Sequence, residues 1–368
     1  MSSRRSARLS AVSSAIKEDP KPSENGSTPP KVANISKKRK VAPEITEPKT
    51  NGSPSTPKRK KASKPIPPIT PTPTAIGLMS MPYSSGDIDN TTPPPINRLA
   101  VPNGTNAALV TPETHRLVAS KPVDQISPSK KASVQTTGKI LDEAIAHLLK
   151  ADPKLKPVIE QEHCHVFSPE GLAEEIDPFR SLASGIISQQ VSGAAARSIR
   201  AKFVALFNTD KSDASQHVFP TPSQVCGSTI EVLRTAGLSQ RKAEYILGLA
   251  EKFHSNELTT EMLFNASYEE VLEALIKVRG LGKWSVEMFA CFGLKRMDVF
   301  STGDLGVQRG MAAFMGRDVN KLKGKGGKWK YMSEKEMEEI AEKFRPYRSL
   351  FMWLMWRVED VDISTLQG

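Results

Sequence analysis

Two stretches of the chain hold residue types whose spacing can do chemistry. In "VRGLGKWSVEMF" (278–289), Gly280 and Gly282 stand two apart, flanked by Arg279 and Lys283, and Trp284 follows at once. Glycine tolerates positive φ and close approach by another group. A turn built on this pair can therefore expose bare backbone N–H groups, and the N-terminus of a following helix adds partial positive charge. That geometry suits a phosphate oxygen, directly or through a bridging cation. It also suits an ordinary turn between two helices. In "RMDVFSTGDLGVQRGM" (296–311), Asp304 stands just before an apolar helical run, twenty-two residues after Gly282. Aspartate there reads as a helix N-cap. A carboxylate so placed is favoured by the helix dipole. At the mouth of a cleft it can also stabilise an oxocarbenium-like sugar and orient water for attack.

The elements that must position these residues are helical. In "KILDEAIAHLLKADP", Ile140, Leu141, Ala144, Ile145, Leu148 and Leu149 form one stripe that Pro153 stops. "PFRSLASGIISQQVSGAAARSIRAKFVALF" reads as two helices, with Ser192 capping the second. Ser239 is placed to cap "LSQRKAEYILGLAEKF", and Ser267 with Glu270 forms a capping box at the start of "SYEEVLEALIKV". Further helices are expected at 283–294, near 305–314, in "SEKEMEEIAEKF" and in "PYRSLFMWLMWRVED". No convincing strand is visible, and loops are short except around 209–221 and 316–332. The expectation is one all-α unit over 138–368, built as two lobes with a cleft between them, the usual place for a ligand. Its glycine hairpin spans 267–294.

Composition separates that unit from what precedes it. Residues 1–137 hold 21 of the 28 prolines but only one of the 22 aromatics, Tyr83. They carry 21 Lys+Arg against 9 Asp+Glu, whereas 138–368 carry 30 against 31. The formal net charge of +11 is thus a property of the first segment. Such a segment has too little apolar surface to offset the entropy of ordering it, so 1–137 is expected to be a disordered basic tail. Its charge suits a polyanion or nuclear import. "KKRKVAPE" (37–44) and "PKRKKASK" (57–64) resemble basic nuclear localisation signals, which would engage an import receptor. "MSSRRSARLSAVSSAIK", rich in Arg and Ser and free of acids before Glu18, also fits a mitochondrial presequence. The nucleus is the expected address, with the mitochondrion as an additional one. No 18-residue apolar run is present to span a membrane. Cys164, Cys226 and Cys291 are far apart and lack zinc or iron–sulfur spacing, as expected of reduced thiols.

"VRGLGKWSVEMFACFG" followed by "DVFSTGDLGV", together with "DPFRSLASGIISQQVSGAAA" (177–196) and "GLSQRKAEYILGLA" (237–250), resembles the helix–hairpin–helix DNA glycosylase superfamily over about 138–360. Within it the motifs look most like the alkyladenine (3-methyladenine) branch, its fungal members in particular. The resemblance implies the HhH-GPD fold, with Asp304 as the catalytic carboxylate and Gly280 and Gly282, beside Lys283, as the hairpin against a DNA phosphate. The backbone carbonyls of Ile276, Val278 and Leu281 would hold a monovalent cation such as Na or K; no other cofactor is implied. Gln189 and Gln190 fall where relatives fill the gap left by a flipped nucleotide. Trp284 and Trp356 match base-pocket positions, and Tyr347 is a further pocket candidate. Met288 stands where a branch member can carry a pocket tyrosine, a departure that bears on substrate range.

Relatives that also cleave the strand carry a nucleophilic lysine at the position of Trp284. Here the lysine is Lys283, one residue earlier and on another face of the helix, so no Schiff base with the sugar is expected. The implied activity is monofunctional: hydrolysis of the N-glycosidic bond of 3-methyladenine or 7-methylguanine in double-stranded DNA by base flipping, as a monomer in base excision repair. The same fold acting on uracil, hypoxanthine or ethenoadenine is an alternative, as is a non-catalytic DNA-binding protein, which would have no need of Asp304. "NKLKGKGGKWKYM" (320–332) is either a phosphate-contacting loop or a solvated one.

Overall fold

The structure is a computed structural model that describes residues 97–111, 117–118, 135–324, 329 and 331–358. The helices begin with α1 (Ile140–Ala151), α2 (Lys156–Gln161) and α3 (Pro169–Ala173). Next come α4 (Pro178–Ser188), α5 (Gly193–Ala205), α6 (Pro222–Cys226), α7 (Ile230–Thr235), α8 (Gln240–His254), α9 (Thr260–Asn265) and α10 (Tyr268–Ile276). The chain finishes with α11 (Lys283–Met288), α12 (Leu305–Phe314), α13 (Val319–Lys323), α14 (Glu334–Glu342) and α15 (Arg348–Met355). The all-α expectation holds in its elements and in their starts. Ser192 accepts from the Ala195 N–H, Ser239 from the Lys242 N–H, and Ser267 and Glu270 close their capping box. Asp177 caps α4 through two N–H groups, with Pro178 at the first helical position. Each such cap contributes about 1 kcal/mol.

Buried apolar residues form two clusters. One joins α1–α3 to α12, α14 and α15; the other joins α4–α10. The chain therefore leaves the first lobe, builds the second, and returns. Helix α11 and the turn after it supply both: Val286 and Phe289 belong to the second cluster, Met288, Ala290, Cys291 and Phe292 to the first. This spine departs from the single α-helix expected over 283–294. Residues Phe289–Gly293 form a π-helical turn closed by the Leu294 N–H on the Phe289 carbonyl at 2.9 Å. The widened turn lets adjacent residues serve different cores, and π turns of this kind recur at functional sites.

The expected boundary at 138 and the absence of strands both need correction. Residues 97–111 pack into the fold. Arg98 is buried and donates to the Asn106 and Leu172 carbonyls, and Asn106 donates to the Lys295 carbonyl. A small sheet of order β2-β1-β3 follows, in which β1 (Ala108–Val110) pairs antiparallel with β2 (Leu117–Val118) and parallel with β3 (Glu175–Ile176). Strands of two or three residues are too short to show a period, and their partners are remote in sequence. The tail expectation for 1–96, with both basic clusters, lies outside the described residues. In the 320–332 stretch, α13 takes the first part and Tyr331 is buried; 325–328 and 330 lie outside the described residues. Among the described residues no group of three His, Cys, Asp or Glu could hold a metal ion, and no helix is long and apolar enough to cross a membrane. Among the described residues Cys164, Cys226 and Cys291 form no disulfide.

Candidate active site

Three elements converge on Asp304. At the N-cap of α12 its Oδ1 accepts the Val307 backbone N–H at 2.9 Å. The same oxygen accepts the indole N–H of Trp356, at the end of α15, at 2.9 Å. Oδ2 accepts the indole N–H of Trp284, from the first turn of α11, at 2.9 Å. Only 1% of Asp304 is exposed. All three donors are neutral, so they orient the carboxylate without cancelling its charge. A carboxylate offers about four lone-pair directions; the three bonds use two on Oδ1 and one on Oδ2.

The tryptophans are themselves seated. Trp356 stacks on Phe292 of the π turn, centroids 5.6 Å apart and planes at 30°. Met288 is 0% exposed and lies in the cluster on which both indoles pack, so it has no surface to offer a ligand. Gly306 is a requirement that the sequence did not advertise. A Cβ there would lie 2.8 Å from Trp356 Cδ1 and 3.1 Å from Asp304 Oδ1. Gly306→Ala should break the Trp356–Asp304 bond at a cost of about 1.5 kcal/mol. Thermal unfolding and the near-ultraviolet circular dichroism of the tryptophans should both report it.

The loop before Asp304 is pinned at three points. Ser301 Oγ donates to Glu287 Oε2 at 2.6 Å, Gln308 Nε2 donates to the Thr302 carbonyl at 3.1 Å, and Thr302 Oγ1 donates to Glu334 Oε1 at 2.9 Å. Glu287 is 2% exposed, and burial pushes its carboxyl above the usual range, against the Ser301 bond and nearby Lys283, which lower it. A carboxyl raised in the fold adds stability below its unfolded value and loses it as pH rises through the folded value. Glu287→Gln, which stays neutral, should therefore stabilise the protein more at about pH 8 than at about pH 4. Melting temperatures of both proteins at the two pH values check this.

The hairpin runs from α10 through Gly282 into α11. Gly280 adopts φ +93°, and a Cβ on it would fall inside the Tyr245 ring, so conformation and packing both demand glycine. Gly282 is the N-cap of α11 and has open space where a Cβ would be. Lys283 is exposed, with Nζ 3.8 Å from Glu287, and so lies on a different face from Trp284. A cleft of about 440 Å³ opens on that Lys283–Glu287 face and is lined also by Tyr268, Arg296 and Arg348; Asp304 and the two indoles do not line it. Of the three carbonyls expected to hold a cation, that of Val278 accepts the Leu281 N–H at 3.1 Å. Among the described residues no backbone bond outside the helices falls on those of Ile276 or Leu281. Neutral carbonyl oxygens of this kind suit a hard cation.

The two glutamines expected to act alike are separated. Gln189 Nε2 donates to the Gly280 carbonyl at 2.9 Å, which commits that side chain to the hairpin. Gln190 is exposed and held at φ +57°. Of the two glutamines, Gln190 is the exposed one. Tyr347 packs elsewhere, with its hydroxyl accepting from Gln135 Nε2 at 2.5 Å and its ring edge-on to His147. Sequence reasoning missed Tyr245, Lys242, Glu287 and Gly306. Tyr245 and Lys242 read as ordinary positions of an amphipathic helix. Glu287 gave one available signal, a carboxylate amid an otherwise apolar run.

With this geometry in hand, comparison with known proteins is informative. Residues 183–343 match the HhH-GPD superfamily of base excision DNA repair proteins. The chain is 33% identical over 276 residues to the DNA-3-methyladenine glycosylase of Saccharomyces cerevisiae, a span of 69% of this chain and 91% of that protein. It is 29% identical over 192 residues to DNA-3-methyladenine glycosylase 1 of Schizosaccharomyces pombe, covering 52% and 76%. Among solved structures, the DNA-3-methyladenine glycosidase of Bacillus halodurans aligns at a TM-score of 0.46 and 28% identity, covering 61% of this chain and 90% of that one. The Schizosaccharomyces pombe 3-methyladenine DNA glycosylase in complex with abasic DNA aligns at 0.47 and 24%, covering 60% and 98%.

Proposed function

Because the chain belongs to the HhH-GPD superfamily of base excision DNA repair proteins, we propose that it is a monofunctional DNA-3-methyladenine glycosylase. It is a hydrolase that breaks the N-glycosidic bond of alkylated purines in double-stranded DNA and leaves an abasic site. The observation that carries this reading is Asp304, held by two indole N–H groups and a helix N-terminus.

The chemistry follows from that carboxylate. A 3-alkyladenine or 7-alkylguanine is cationic, so its bond to the sugar is already weak and needs no strong general acid. As the bond lengthens, positive charge grows on the sugar, and the fixed charge of Asp304 stabilises it without reorganising. Water adds to the anomeric carbon, the base leaves with the bonding pair, and the proton passes to solvent. The nucleotide must leave the stack to reach Asp304, and Gln190, exposed in the turn after α4, would fill the gap. The aromatic faces of Trp284 and Trp356 would attract the cationic base by about 0.5–2 kcal/mol. Gly280 and Gly282 would meet a phosphate, with Lys283 alongside, and the Ile276, Val278 and Leu281 carbonyls would hold Na or K there. Lys283 lies 3.8 Å from Glu287, on a different face of α11 from Trp284, which supports base removal alone. The clusters at 37–44 and 57–64 support a nuclear address for such an enzyme.

Purified protein incubated with methylated duplex DNA should release 3-methyladenine and 7-methylguanine, detectable by chromatography. The strand should stay intact until alkali or heat is applied. Release of no base would overturn the reading, and a spontaneous nick would overturn its monofunctional part.

A further inference from the structure

Helix α8 holds both parts of the DNA-facing surface through two residues on one face. Lys242 Nζ donates to the Ile187 carbonyl at 2.7 Å and to the Gln189 carbonyl at 2.6 Å, at the end of α4. Those carbonyls carry the negative end of the α4 dipole, where a cation is favoured. Tyr245, three residues on and so on the same side of α8, packs its ring against Gly280 of the hairpin. Gln189 closes the circuit with its side chain on the Gly280 carbonyl. Gln190 follows directly in the left-handed region, which costs a non-glycine residue energy and persists only where neighbours over-determine it. Burial pushes the Lys242 ammonium down to about 8, a cost that a fully solvated lysine would not bear.

We propose that Lys242 is a positioning residue: by bonding the Ile187 and Gln189 carbonyls it sets the turn that aims Gln190 into the duplex, in register with the hairpin. The inference rests on the glycosylase reading for the role of Gln190. Its mechanical part, that Lys242 acts through Gln190, can be tested without any base being released.

The test measures affinity for a duplex holding a stable abasic-site analogue relative to an intact duplex, in wild type, Lys242→Met, Lys242→Arg, Gln190→Ala and Lys242→Met/Gln190→Ala. Lys242→Met should lower the preference for the abasic duplex by about tenfold, the scale of lost charged hydrogen bonds. Affinity for intact duplex should stay within about twofold, because the hairpin itself is untouched. Lys242→Arg should restore much of the preference. Gln190→Ala should show the same loss, and the double variant should add nothing to it, since both changes remove one device. An unchanged preference in Lys242→Met, or additive losses in the double variant, would overturn the proposal. So would an equal fall in affinity for both duplexes. If Lys242→Met does not fold, Lys242→Gln carries the same comparison. Failure of wild type to release methylated bases would count against the glycosylase reading alone, because these binding ratios involve no chemistry.

Discussion

Asp304→Asn should slow single-turnover release of 3-methyladenine by about 10²–10³-fold, the scale seen when a preorganised electrostatic group is removed. The substitution is nearly isosteric but fails here for two reasons. It removes the charge that opposes the developing positive charge on the sugar. It also mismatches the site, which aims three donors at the two oxygens: Val307 N–H and Trp356 Nε1 at Oδ1, and Trp284 Nε1 at Oδ2. A carboxamide has one accepting end and one donating end. Whichever way it sits, its NH₂ faces at least one indole N–H in a place that is 1% exposed. Released base quantified under single turnover, with a melting curve to confirm the fold, checks the result. A variant that releases base at the wild-type rate would remove Asp304 from the mechanism.

Gly310→Ala is the substitution expected to cost most stability. A Cβ on Gly310 would collide with the carbonyl, carbonyl carbon and Cα of Met355, all backbone atoms. A side chain can rotate away from such a clash, but α15 can only move as a body. Overpacking costs about 1–3 kcal/mol, and this site should reach the upper end. For a domain of this size that lowers the melting temperature by about 6–12 °C. Function should fall with it, because α12 carries Asp304 at its start and α15 ends at Trp356. Separating the two helices stretches the Trp356–Asp304 bond. Thermal unfolding together with base release measured well below the transition checks both parts. A melting point within about a degree of wild type would show that α15 yields more easily than its packing implies.

Much of the site was legible because its signals are local. Asp304 before an apolar run, and Ser267 with Glu270 before another, are capping patterns written within four residues. Gly280 was legible as a turn residue because positive φ is a local demand. The pairing of Gln189 with Gln190 was read too simply. Adjacent residues in a turn face different ways, and the Gly280 carbonyl that claims Gln189 lies 91 positions away. Met288 and Tyr347 sit near Trp284 and Trp356 in sequence, yet burial of the first and the Gln135 and His147 partners of the second turn them to packing. The fold boundary was missed because 97–111 is held by long-range bonds, such as Asn106 to the Lys295 carbonyl, which leave no periodic trace.

Sequence alone determined that the domain is helical, where most helices start, that Asp304 caps an apolar helix and that Gly280 makes a turn, since caps, turns and periodicity are interactions between near neighbours. Tertiary structure decided that two tryptophans from separate helices would hold the Asp304 carboxylate, that Gly306 and Gly310 must have no side chain, and that Lys242 and Tyr245 would meet the end of α4 and the glycine hairpin. Those outcomes depend on how closely elements distant in the chain approach one another. That distance is set by the packing of two cores on one shared spine, α11 and its π turn, and not by any short run of residues.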